Sequence, residues 1–133
     1  MLAPEERALR DSVRQFALKH VQPLSRQMDE EAMCPQSLID EAFKQGLMGI
    51  EVDEKYSGSG MSFLASCLAI EEISRVDPGF AGLIDIQNTL INNIFFRYAN
   101  KEQRAEYLPK FATKSVGSFC LTEPGSGSDA FAL

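Results

Sequence analysis

The spacing of apolar residues predicts helices along most of the chain. Leu9, Val13, Phe16 and Ala17 recur at helical intervals, with Pro4 suited to a first turn and Glu5 and Glu6 placed against the positive end of the helix dipole. Pro23 is expected to end this first helix. A second begins near Pro35 and turns Leu38, Ile39, Ala42 and Phe43 inward, and Gly46 followed by Leu47 reads as a left-handed C-terminal cap with its apolar contact. Asp53 to Met61, with Ser57-Gly58-Ser59-Gly60, has no face to bury and is expected to be a loop. From Ser62 to Val76, apolar residues cover nearly the whole helical circumference, so this third helix is expected to be central. Asp77-Pro78 breaks it. The fourth runs to about Tyr98 with Phe80, Leu83, Ile84, Ile91, Ile94 and Phe95 as its stripe, and Asn100 with Gln103 forms a capping box for a fifth, interrupted at Pro109 and continuing through Phe111. Ser115 to Leu121 changes period: its β-branched and aromatic content predicts a strand, followed by a loop through Asp129. A lone strand leaves backbone groups unpaired, so it is expected to pair with another chain or to open a further domain.

Composition narrows the class. The chain has 133 residues, 44% apolar and 24% charged, and a chain of this size can bury about two thirds of its surface. No apolar run approaches the roughly 20 residues of a membrane-spanning helix. Thirteen Lys and Arg against nineteen Asp and Glu give a net charge of −6, and without a basic stripe a nucleic-acid partner is not expected. Cys34, Cys67 and Cys120 are odd in number and widely spaced, and His20 is the single histidine, so neither a disulfide framework nor a metal site is expected, and a reducing compartment fits. Cys67 and Cys120 are expected to be small buried hydrophobes. His20 is expected near the C-terminal carbonyls of the first helix. The Glu71-Glu72 pair is expected at an inter-helix polar contact or a subunit boundary. Glu5, Glu6 and Asp11 with no apolar stretch show no signal or transit peptide in the residues at hand.

The chemistry concentrates in Phe119 to Ala130. Gly125 to Ala130 matches GxGxxA, but five helices precede the strand and Glu123 and Pro124 intervene, which is the wrong context for a dinucleotide fingerprint. No Lys-Ser or Lys-Thr follows the glycines, so a P-loop is excluded. A strand end with alternating backbone donors and acceptors and the Thr122 hydroxyl suits the edge of a flat heterocycle, with Gly125 to Ser128 supplying flexible N–H groups for anions. A flavin has that form.

The run LTEPGSGSDA resembles the flavin and substrate signature of the acyl-CoA dehydrogenases. RALRDSVRQFA, QGLMGIEVDEKYSGSGMS, LAIEEISRVDPG and NKEQRAEYLPKFATKSVGSFCLTEP resemble the same family in order and spacing. GLMGIEVDEKYSG, IQNTLIN and VGSFCL are most similar to its short/branched-chain members, although Thr122-Glu123-Pro124-Gly125-Ser126 follows the commoner family pattern instead of the Ser-Glu-Ala-Gly-Ala of that subfamily. The resemblance implies a mainly α fold, an orthogonal bundle of about five helices over residues 1–114, with residues 115–133 as the first strand and flavin loop of a truncated middle β-domain. It implies FAD as cofactor and α,β-desaturation of a short or branched acyl-CoA, a carboxylate taking the α-proton while the β-hydrogen leaves as hydride to the flavin. Phe119, Cys120, Leu121, Thr122, Gly127 and Ser128 would contact the cofactor; Ser128, Ile86 and Leu90 would lie towards the substrate. The family's catalytic base is a glutamate of a C-terminal helical domain, so no catalytic residue is assigned, Glu123 reads as a turn carboxylate, and the chain alone is expected to be inactive. The resemblance further implies electron-transfer flavoprotein as acceptor, a homo-oligomer (a tetramer in the family), and the mitochondrial matrix, or the cytoplasm in a bacterium. A stand-alone helical binding module derived from such an enzyme is the alternative expectation.

Overall fold

In the computed structural model, which describes residues 2–132, the first helical run extends past its expected end. It comprises α1 (Pro4–Phe16), a π-helical turn (Ala17–Val21), a 3-10 turn (Gln22–Leu24) and α2 (Ser25–Glu31). Pro23 therefore does not terminate it. A proline lacks the N–H for the helical ladder and its ring crowds the carbonyl four residues back. Here the wider turn ahead of it absorbs both defects, the Gln22 N–H bonding to the Ala17 carbonyl five residues earlier. His20 consequently lies mid-run and stacks on Phe16 at 5.3 Å, away from a helix end. The run stops at Ala32, in the left-handed conformation.

α3 (Gln36–Lys44) closes as the sequence predicts. Gly46 adopts φ +73°, its N–H donates to the Phe43 carbonyl and the Leu47 N–H to the Ala42 carbonyl, each at 3.0 Å, the paired bonds of a Schellman cap. The chain then buries Leu47, Met48, Ile50 and Val52 and folds back through the expected loop, Ser59 N–H reaching the Gly49 carbonyl and Met61 N–H the Ile50 carbonyl, both at 2.9 Å.

α4 (Phe63–Ser74), capped by the Ser62 hydroxyl on Ala65 N–H, packs against α1 on one side and α5 (Pro78–Asp85) on the other. Ala65, Ala69 and Ala81 keep these contacts close, and Val13, Phe16, Ile73, Phe80 and Ile84 fill the core. Glu72, 3% exposed, takes a two-pronged contact from the Arg14 guanidinium, both bonds 2.8 Å, which makes the expected inter-helix polar contact for that residue, whereas Glu71 is exposed and pairs with Arg75 at the end of its own helix at 3.4 Å. Two expectations are corrected. α4 is apolar all round but not covered all round: Phe63 (60% exposed), Leu64 (46%) and Cys67 form an open stripe. Cys67 and Cys120 are exposed, because the first faces that stripe and the second lies beyond the bundle.

The fourth run joins α5, a π-helical segment (Ile86–Asn92) and α6 (Asn93–Tyr98). α7 (Lys101–Thr113), opened by the Asn100–Gln103 box, passes through Pro109 without a break. It completes a second, smaller core of Val52, Leu108 and Ala112 with Tyr56 and Phe95. The structure is thus mainly helical, five helical runs in number among the described residues. Ser115–Leu121 forms no strand ladder, since no other segment among the described residues lies beside it as a strand; only an isolated bridge, Glu123 with Ser126, follows.

Candidate functional site

The π-helical segment carries an unusual density of buried amides. Gln87, Asn88 and Asn92 are 1%, 0% and 3% exposed, and a buried amide needs partners for its donors and its acceptor. Asn88 Nδ2 donates to the Leu47 carbonyl at 2.7 Å and the Ile84 carbonyl at 2.9 Å, while its Oδ1 accepts from Ile50 N–H at 2.8 Å. Asn92 Nδ2 donates to the Met48 carbonyl at 2.9 Å. These two side chains hold the 47–50 segment against the fourth run. Gln87 faces the other way: its Nε2 donates to the carbonyls of Phe111 at 2.9 Å and Ser115 at 3.1 Å, and its Oε1 accepts from Gly117 N–H at 2.9 Å. The chain leaving α7 is thereby tied to the helix that carries Ile86 and Leu90.

Beyond Gly117 the candidate residues lie on one exposed segment. Phe119 is 46% and Leu121 40% exposed, and Cys120, Thr122, Gly127 and Ser128 are also exposed. Pro124 and Gly125 form the tip of a tight turn closed by reciprocal bonds between Glu123 and Ser126, 2.9 and 3.1 Å. Ser126 is buried and its hydroxyl donates to the Asp129 carbonyl at 2.7 Å. A Cβ on Gly125 or Gly127 would meet nothing within 4 Å, and neither residue has a left-handed φ. The fold of this chain therefore does not require glycine at either position, and any such requirement comes from something that approaches the turn. Glu123 uses its backbone in the turn, and its carboxylate makes no hydrogen bond among the described residues.

Leu90 lines a groove of about 410 Å³ together with Phe63, Thr89, Ile94, Arg97 and Tyr98, with Glu51 at its wall. Ile86 is 45% exposed and is not part of that groove, and Ser128 lies on the exposed turn, so of the three residues expected towards a substrate Leu90 alone lines it. The amides of the fourth helix were missed by a reading based on apolar spacing. Their signal is Gln87-Asn88 and Asn92-Asn93 set inside an otherwise apolar run. Elsewhere, the Arg14 hydrogen bonds and charge hold the Glu72 carboxyl below its ordinary range against the opposing effect of burial, and burial with the nearby Asp77 carboxylate pushes the Cys34 thiol up. Among the described residues no three His, Cys, Asp or Glu side chains converge as metal ligands, and no helix is long and apolar enough to cross a membrane.

The family profile described as "Acyl-CoA dehydrogenase, N-terminal domain" matches residues 3–115. A probable short/branched chain specific acyl-CoA dehydrogenase of Dictyostelium discoideum is 47% identical over 132 residues, 99% of this chain and 32% of the relative. The mitochondrial short/branched chain specific acyl-CoA dehydrogenase of Bos taurus is 48% identical over 129 residues, 97% of this chain and 30% of the relative. A glutaryl-CoA dehydrogenase of Mycobacterium smegmatis, solved in complex with FADH2, superposes with a TM-score of 0.90 at 31% identity, covering 99% of this chain and 34% of that one. The chain thus spans about a third of the length of the relatives it matches.

Proposed function

The chain belongs to the acyl-CoA dehydrogenase family, and from that membership we propose that it contributes the N-terminal helical part and the flavin loop of an FAD-dependent enzyme that desaturates a short or branched acyl-CoA between its α and β carbons. Residues 1–114 form the helical domain in this reading, and 115–133 open a middle β-domain. The observation that carries it is the turn at Gly125 and Gly127, glycine at two positions where the chain's own packing leaves open space. Such positions suit backbone N–H groups that a pyrophosphate must approach closely.

The residues present fit FAD. When bound, the flavin supplies the hydride acceptor. Phe119, Cys120 and Leu121 offer exposed backbone groups and Thr122 an exposed hydroxyl to a ring edge, and Ser128 with Gly127 lies at the far side of the turn. Leu90 and Ile86 supply apolar surface towards an acyl chain, Leu90 from the groove and Ile86 from the exposed face next to it. The chain holds no residue we assign as the base that removes the α-proton, and alone it is inactive in this reading. Electron-transfer flavoprotein as acceptor, assembly as a homo-oligomer and a mitochondrial matrix location belong to the same proposal, supported by the mitochondrial relatives; the bacterial counterpart would be cytoplasmic.

The experiment is a comparison of the FAD-loaded enzyme that carries this chain with its Gly127→Val variant. The parent is expected to bleach its flavin absorbance when a short branched acyl-CoA is added without oxygen, and the variant to retain FAD at least about tenfold less tightly, since a side chain at this turn blocks close approach. Equal FAD retention by the variant overturns the placement of the cofactor, and an unbleached flavin overturns the substrate class.

A further inference from the structure

Gln87 makes a contact that side chains seldom make. An extended chain turns the carbonyl of one residue and the N–H of the residue two further on to the same side, and a neighbouring strand residue takes both. The Gln87 carboxamide takes that pair, donating to Ser115 and accepting from Gly117, and its second Nε2 hydrogen goes to the last turn of α7 at Phe111. Its three hydrogen bonds all go directly to backbone groups, from a side chain 1% exposed. The backbone at Gly117 lies so close to the same helix that a Cβ there would be 2.4 Å from Ile91 Cγ2. A single amide thus stands in for a strand at the point where the bundle hands the chain on.

We propose that Gln87 is the positioning residue of the segment carrying Phe119 to Thr122: it fixes where, and with which edge inward, that segment leaves the helical bundle. The inference rests on the flavin reading above for the segment's task, and on the hydrogen bonds for the positioning itself. From Gly117 to Thr122 an extended chain covers about 17 Å, so a tilt at the anchor moves the Thr122 hydroxyl by several times the displacement at Gly117. Because Gln87 sits between Ile86 and Leu90 on one helix, the acyl-facing surface and the cofactor segment share one rigid reference. The role differs from that of Asn88 and Asn92, whose side chains hold the 47–50 segment.

Amide hydrogen exchange and heteronuclear NOE measurements on this chain and two variants test it. Gln87→Met fills the same space without donor or acceptor. It should raise exchange at the Gly117 amide about tenfold, the scale of one lost hydrogen bond, and lower the NOE from Phe119 to Thr122, while the Ile50 amide held by Asn88 keeps its protection. A merely structural role would raise exchange at Ile50 as much as at Gly117, and that result overturns the proposal, as does an unchanged Gly117. Should Gln87→Met fail to fold, Gly117→Ala decides, since its new Cβ presses on the buried Ile91 side chain and pushes the segment off the helix while leaving every Asn88 bond in place: loss of order from Phe119 to Thr122 with Ile50 still protected supports the anchor, and retained order overturns it. Failure of the flavin reading would show in the Gly127→Val measurement, which involves none of these bonds.

Discussion

Asn88 binds three backbone groups while wholly enclosed, and truncation leaves all three in a site that water does not reach. Asn88→Ala is therefore expected to cost roughly 2–4 kcal/mol, the penalty of several unpaired buried groups, readable as a fall in urea midpoint. Glu72 gives a pH signature instead. The Arg14 bonds lower its folded-state pKa, so the stability it contributes is present above the ordinary carboxylate range and is lost as pH falls through the lower folded value. Glu72→Gln should flatten the acid limb of a stability-against-pH curve; an unaltered limb would assign acid sensitivity to other carboxylates. At this scale, residues with a local rule were legible in the sequence. Gly46 and the Asn100–Gln103 pair announce caps because each acts on its own neighbours, whereas Asp77 reads from the sequence only as a break and proves to be the cap of α5. Gln87, Asn88 and Asn92 did not, because their partners lie up to 44 residues away and an amide in a helix looks like surface until the fold encloses it.

Between elements, the first and fourth runs meet at Asp77, whose Oδ1 accepts from Phe80 N–H and whose Oδ2 accepts from the Ser25 hydroxyl, both at 2.8 Å. Asp77→Ala should lower stability by about 1–2 kcal/mol, the upper range for a lost cap, and calorimetry would register it. A cost below about 0.5 kcal/mol would mean the Ser25 contact adds nothing. The number of helical runs and most of their starts were readable from apolar spacing. The end of the first was not. Pro23 predicts a stop, yet a π-helical turn followed by a 3-10 turn lets the chain continue to Glu31. Pro109 is accommodated without such a change of pitch, inside α7 and beside the buried Leu108 and Ala112. Propensity counts a proline against a helix, whereas tertiary burial on adjacent turns outweighs it.

For the molecule as a whole, exposure divides α4 into two energetic halves. Ile73→Ala should cost roughly 2–5 kcal/mol, because the site is closed on all sides, whereas Phe63→Gln on the open stripe should change stability by no more than about 0.5 kcal/mol. Thermal unfolding of the two variants separates them. The fold class was legible because helical periodicity is local, and the candidate segment was legible through its glycines and Thr122. What the sequence could not supply was whether Ser115–Leu121 would pair, since a ladder needs a partner and the helices offer only the Gln87 amide. Nor could it supply which of Ile86 and Leu90, one turn apart, lines the groove: Leu90 does, while Ile86 lies exposed outside it.

The π-helical segment explains how one run serves two cores. Ile84 and Phe95 are eleven residues apart, about three full α-turns, and on an uninterrupted α-helix they would point the same way. The seven residues Ile86–Asn92 wind more slowly, and across them the rotational phase slips by roughly a third of a turn. Ile84 thus stays in the larger core, while Phe95 swings round to meet Phe111 edge-on at 4.9 Å and join Leu108. The helix behaves as a crankshaft whose two throws are set by the pitch change between them, and the segment that sets that angle is the one that carries Gln87.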